Sequence, residues 1–412
     1  MRPVTFPAMS PRSPGLAVPI AAPHRLLFLG GTVAVLLTMA WWALELGAGT
    51  FGIDMPQPSI PPAWAHAMLA QYGMLPLFIL GFLLTVFPRW LGQPALRLRH
   101  YLPVFALQFG GYLLAHAGLL GHPHLLVAGF ASMGAALLVA LAVLGRVLAA
   151  SGTPNMHAVS CYAALTLGAV GQGAFLAYLL GASWWWAMLA IQLGTFGFLL
   201  PMYLGVCHRM IPFFSSRVVP GYRMLRPRWS LPVLWTLLLG HLAVSLAHAQ
   251  AWLWTVDAPL TAVLAWHAWA WQPWRAMRSG LLAVLHLAFA WLPFAFGLYT
   301  LQSVVYAATG EFVLGRAPLH ALAIGFFGSM LVAMVTRVTQ GHSGRPLQMG
   351  AVAWFGFATL QVVAVLRMLA AIGPARNTWL LLAAGGWLLA FLPWVLRSAW
   401  IYLTPRADGA EG

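Results

Sequence analysis

Long apolar stretches alternate along this chain with short clusters of Pro, Gly and Arg, and each stretch is close to the length that crosses a bilayer. A helix needs about 20 mostly apolar residues to traverse roughly 30 Å of hydrocarbon. Cut at the Pro, Gly and Arg clusters, the pattern predicts twelve helical spans: residues 26–48, 63–87, 101–120, 124–149, 157–180, 184–207, 230–250, 251–270, 280–305, 318–338, 349–371 and 378–402. Backbone groups in lipid must be satisfied within the segment, and these unbroken apolar runs lack the alternation of barrel strands. The expected fold class is all-α, a polytopic membrane bundle. Residues 1–25, rich in Pro and Arg, read as a disordered cytoplasmic tail, 26–402 as a single transmembrane domain and 403–412 as a second tail. The first 25 residues lack an isolated hydrophobic core followed by a small-residue cleavage site, so no removable signal peptide is expected.

Composition agrees with that pattern. Of 412 residues, 61% are hydrophobic and 7% charged, a balance that excludes an ordinary soluble domain. Every basic residue is Arg, and in the twelve-span topology all but Arg316, Arg367 and Arg376 fall on one side. The positive-inside rule then places both termini in the cytoplasm. The net charge of +15 is thus an orientation signal toward the lipid bilayer, and no nucleic-acid partner is expected. Cys161 and Cys207 form neither a C-x-x-C nor a C-x-x-C-H pattern, which argues against thiolate zinc and covalently attached haem.

With 14 histidines and six carboxylates, metal chemistry here would lean on imidazole, which suits haem iron and copper. Glu45 reads as the only acid inside a span. Sorted by depth, His66 and His320 lie a few residues into the second and tenth spans, which run in the same direction, so both sit near the outer surface. His116, His122, His124 and His248 are also outer, but at helix ends or turns where a solvated histidine needs no special explanation. His286 lies near the inner end of the ninth span, more than about 20 Å from the outer edge at 1.5 Å per residue. His342 follows the tenth span, so an inner cluster with His286, joined by His157, His208 or His267, is geometrically open. His241 belongs to neither set. Taken singly, each is ordinarily a hydrogen-bonded structural histidine. Met330 and Met334 follow His320 on roughly one helix face, as thioether ligands or as core packing.

A weak repeat recurs every four helices: Gly81-Phe82-Leu83-Leu84, Gly197-Phe198-Leu199-Leu200 and Gly325-Phe326-Phe327-Gly328. Three groups of four helices would produce it. With histidines on the second and tenth helices, the layout resembles the catalytic subunit of haem-copper oxidases. The comparison is architectural, since Leu322 stands where that family has a second histidine, and His241 and His248 lie a heptad apart where it has adjacent ones.

A closer resemblance rests on Leu319-His320-Ala321-Leu322, Met334-Val335-Thr336-Arg337 and Gly341-His342-Ser343-Gly344-Arg345-Pro346. Three further stretches accompany these: His66-Ala67-Met68; Arg209-Met210-Ile211-Pro212-Phe213-Phe214; and Leu285-His286 through Leu292-Pro293. Together they resemble the NnrS family of bacterial membrane proteins over about residues 24 to 402. Ala67 departs from the family's usual H-E-M, and Trp64 stands where a histidine is usual. The resemblance implies a haem- and copper-containing protein linked to nitric oxide metabolism and resistance to nitrosative stress. Its partners would be NO or a related nitrogen oxide and an electron donor. It points to His66 and His320 as ligands of a non-covalent haem b, and to His286 and His342 as a second metal site, for copper. Arg209, Arg337 and Arg345 are candidates for cofactor propionates, since guanidinium binds carboxylate bidentately; positive-inside anchoring is their ordinary explanation. Two other functions remain open: a transporter or channel without redox cofactor, favoured by the span count and by Pro76, Pro201 and Pro293 inside helices, and a regulatory or assembly protein whose haem senses redox state.

Overall fold

The computed structural model describes residues 18–152 and 155–409, and among these the chain forms helices and turns with no strand. Most of the expected N-terminal tail, residues 1–17, and the last three residues lie outside the described residues. The helices of 17 or more residues are α1 (Pro23–Phe51), α2 (Pro62–Trp90), α3 (Leu98–Gly118), α4 (Pro123–Ala149), α5 (Met156–Leu179) and α6 (Trp184–Val218). They continue with α7 (Ser230–Leu246), α8 (Trp254–Ala270), α9 (Gly280–Thr309), α10 (Ala317–His342), α11 (Ala351–Ile372) and α12 (Arg376–Leu403). Nine of these described helices are long and apolar enough to cross a membrane. The expected count of twelve spans is not reached by that measure, because α7 and α8 have only 17 residues each and α3 does not qualify.

Local chemistry explains where the helices begin and end. Proline occupies the first turn of α1, α2, α4 and α10, where its missing N–H is one the helix could not pair anyway. α1 and α9 stop at Gly52 and Gly310, whose φ values of 67° and 74° lie in the left-handed region that other residues adopt at a cost.

The bundle has a centre and a rim. Of the membrane-length stretches, those of α2, α6 and α10 are the most enclosed, at 89%, 72% and 78% buried, and no other exceeds 61%. These are the second helix of each successive group of four. Around them, α1 packs on both α2 and α12, α3 on α4, α8 on α9, and α11 on α12. The rim faces outward with apolar side chains: Leu138, Leu389 and Trp400 are 61%, 59% and 64% exposed. Such a surface suits a hydrocarbon solvent, whereas in water so much exposed apolar area would drive aggregation.

Small residues permit the tightest helix contacts. A Cβ added at Gly129 of α4 would collide with the backbone of Ala115 and Gly111 in α3. We expect Gly129→Val to destabilise the protein by about 1–3 kcal/mol through overpacking, read as a lower thermal unfolding midpoint in detergent. Gly173→Ala, with nothing within 4 Å of the added atom and a better helix former in place of Gly, should not lower the midpoint.

Candidate functional site

Each of the three central helices is interrupted by a π-helical turn: Leu69–Met74 in α2, Leu193–Leu199 in α6 and Ala321–Gly328 in α10. A π turn widens the helix and displaces backbone groups from the regular ladder, and such turns occur frequently at functional sites. In α2 the displaced carbonyls are taken up from outside the helix, because the buried Gln108 amide of α3 donates to Tyr72 O at 2.7 Å and Gly73 O at 3.2 Å. Tyr72 itself donates to Ala190 O at 2.8 Å, and Gln71 donates to Thr195 Oγ1 at 2.8 Å, which ties the π turn of α2 to that of α6.

All three π turns border one cavity. Its wall includes Gln71 and Met74 from α2, Thr195 and Leu199 from α6, and Ile324, Phe327 and Gly328 from α10, closed by α1, α11 and α12. His66 and His320 lie in the same wall. The His66 ring stacks on Trp42 at 4.6 Å between centroids, nearly parallel at 16°, and its Nδ1 is buried without a hydrogen-bond partner. His320 Nδ1 donates to Arg316 O at 2.9 Å. That bond fixes the tautomer, so Nε2 keeps its lone pair, the arrangement of an imidazole prepared to ligate a metal.

The guanidinium at this cavity is Arg367 of α11. It is close enough to His66 and His320 to act on both electrostatically, and Arg316 and Arg376 act on it in turn. Neither ion pair of the described residues, His241–Asp257 or Arg406–Asp408, supplies Arg367 with a carboxylate. Ala67 also lines the cavity, so the acid missing from the H-E-M pattern is missing from this wall; Trp64 instead packs edge-on against Tyr178 at 5.5 Å.

The other proposed site residues lie elsewhere. His342 packs against His24, with centroids 4.5 Å apart, whereas His286 has its Nε2 3.3 Å from Ser215 Oγ, so the two have different neighbours. His157 Nε2 and His208 Nδ1 are 3.0 Å apart, and the His208 and His267 rings are 5.8 Å apart, but neither contact includes His286 or His342. Arg209 lies over the Trp90 ring at 4.7 Å and Arg337 over Phe214 at 3.7 Å, as cation–π pairs. Arg345 reaches Thr404 Oγ1 at 3.4 Å, in a loop that α12 closes. Met330 and Met334 line a separate apolar cavity with Cys207 and Tyr203.

Trp42, Gln71, Thr195 and Arg367 were not singled out from the sequence. Arg367 carried a legible signal, as one of three arginines on the Arg-poor side; the other three did not. Glu45 is also not the only acid within a helix, since Asp257 of α8 is fully buried.

A family model described as NnrS protein matches residues 19–406. No curated protein matches the chain.

Thr195→Val keeps the side chain's shape but removes the acceptor for Gln71. The expected loss is about 0.5–1.5 kcal/mol, the usual net worth of one such bond, seen as a lower unfolding midpoint with the helical circular dichroism unchanged.

Proposed function

Because the chain belongs to the NnrS family, we propose that it is a haem-binding protein of the bacterial cytoplasmic membrane that binds or processes nitric oxide or iron-nitrosyl species and so resists nitrosative stress. The observation that carries this reading is the shared cavity of His66 and His320, each with a ring nitrogen free of protein partners, beside an arginine that faces no carboxylate.

The donor set fits an iron porphyrin. Two neutral imidazoles are the ligands of a low-spin b-type haem, Arg367 would take a propionate as a charge-assisted pair, and the apolar wall would shield the macrocycle from water. The free volume, about 140 Å³, admits waters or a diatomic gas, and a porphyrin needs lining side chains to part. Haem bound there would supply an iron that exchanges electrons with a donor; with both imidazoles bound it has no open position, so it would take a diatomic ligand only once one of them is released. The chain's part is to hold that iron through His66 and His320, with Trp42 and the Arg316 carbonyl fixing the two rings. For a second metal, His286 and His342 have separate neighbours, Ser215 and His24. Among the described residues no group of three or more His, Cys, Asp or Glu is arranged to hold a metal ion.

The purified protein should show a Soret band and stoichiometric iron. His66→Ala or His320→Ala should convert a low-spin spectrum to high-spin or release the haem, and Arg367→Leu should weaken retention about 10- to 100-fold, as expected for losing a hydrogen bond to a charged group worth ~1.5–3 kcal/mol. Absence of both haem and iron after expression with ample haem supply, or identical spectra from both histidine variants, would reject the reading.

A further inference from the structure

A second, more polar cavity of about 260 Å³ adjoins the first, and Thr195 and Leu319 belong to the walls of both. Its wall contains Gln192, Ser245, Gln250, Gln302 and Arg316, and also His241 of α7 and Tyr299 of α9. It is polar and large enough to hold several waters.

His241 is held there by a buried acid. Its Nδ1 lies 2.6 Å from Asp257 Oδ1, with the side chains 2% and 0% exposed, and its ring stacks on Phe196 of the α6 π turn at 3.9 Å. Asp257 Oδ2 is buried with no partner, and His241 Nε2 has no protein partner on the cavity side. Asp257 is the one fully buried acid among the described residues. An ionisable group buried inside a membrane protein is costly and is by default a candidate for a proton or ion pathway, and a purely structural pair would be expected to satisfy both carboxylate oxygens.

We propose that Asp257 and His241 form a proton-exchange site in the interior of the bundle, supplied by water in this polar cavity. In the transfer, a hydronium in the cavity gives its proton to His241 Nε2, leaving water. The Nδ1–H bond breaks and that proton bonds to Asp257 Oδ1, so the imidazole stays neutral and the pair goes from a net charge of −1 to zero. The groups facing the pair are Tyr299 from α9 and Arg316 from the turn before α10; the α6 π turn presents Phe196 and Thr195, neither of which titrates. Through the wall shared at Thr195 and Leu319, the site is placed to exchange protons with chemistry at His66 and His320. That last clause rests on the haem reading, whereas the exchange itself does not.

The chain has three aspartates, Asp54, Asp257 and Asp408. With the exposed Asp54 and Asp408 replaced by Asn, ¹³C-aspartate labelling leaves Asp257 as the sole labelled carboxyl, so infrared spectroscopy reads it in an otherwise intact site. A labelled band that interconverts between carboxyl and carboxylate with pH, and shifts promptly in D₂O, is the expected result. A band indifferent to pH and to D₂O would overturn the proposal, whether or not haem is bound. Asp257→Asn should abolish the titrating band in unlabelled protein. Should that variant fail to fold, the labelled protein with Asp257 intact still decides the matter. In haem-loaded protein the midpoint potential should depend on pH and lose most of that dependence in Asp257→Asn; an unchanged slope with a titrating Asp257 band would overturn only the link to His66 and His320.

Discussion

The structure depends on three central helices that loosen into π turns at the level where they meet. A regular α-helix presents a continuous cylinder of paired backbone, and three such cylinders packed together leave little room for anything between them. By widening at Leu69–Met74, Leu193–Leu199 and Ala321–Gly328, α2, α6 and α10 open a cavity in the part of the bundle most enclosed by protein. Irregular backbone is tolerated at membrane depth only where protein or a cavity surrounds it. The rim helices meet that requirement, with Gln108 of α3 satisfying the carbonyls that the first π turn releases.

The same enclosure sorts the charged residues. Arg337 and Arg209 are accommodated on aromatic faces, and Arg406 is paired with Asp408. Arg367 has none of these accommodations and lies at the histidine cavity, where an anion would complete it. Asp257 is neutralised only through His241, on one of its two oxygens. Each therefore sits beside one of two adjoining cavities, a cation at the apolar one and a carboxylate–imidazole pair at the polar one. Buried charge left this incompletely paired is costly, and the functional readings above give both groups something to act on.

Much of this was legible in the order of residues. Runs of apolar side chains marked the helical segments, and counting residues along each helix gave depth at a fixed rise, which put His66 and His320 at the same end of the bundle. The four-helix repeat of Gly81, Gly197 and Gly325 fell on the three helices that proved to be central, although nothing in composition announced their π turns. His286 and His342 share an end too, but shared depth did not make them neighbours: one contacts Ser215 and the other His24.

By itself, then, the sequence determined the fold class, the helical segments and the position of each helical imidazole along its segment, because hydrophobic length and helical rise are local properties. Only the tertiary structure decided which residues face one another: Trp42 beneath His66, Arg367 beside both cavity histidines, and Asp257 against His241. The direction in which a helical residue points relative to other helices is set by how the whole bundle packs, and α7 and α8, the shortest of the set, show this most clearly. Their 17-residue lengths made them weak membrane signals, yet together they bury the one fully enclosed carboxylate among the described residues.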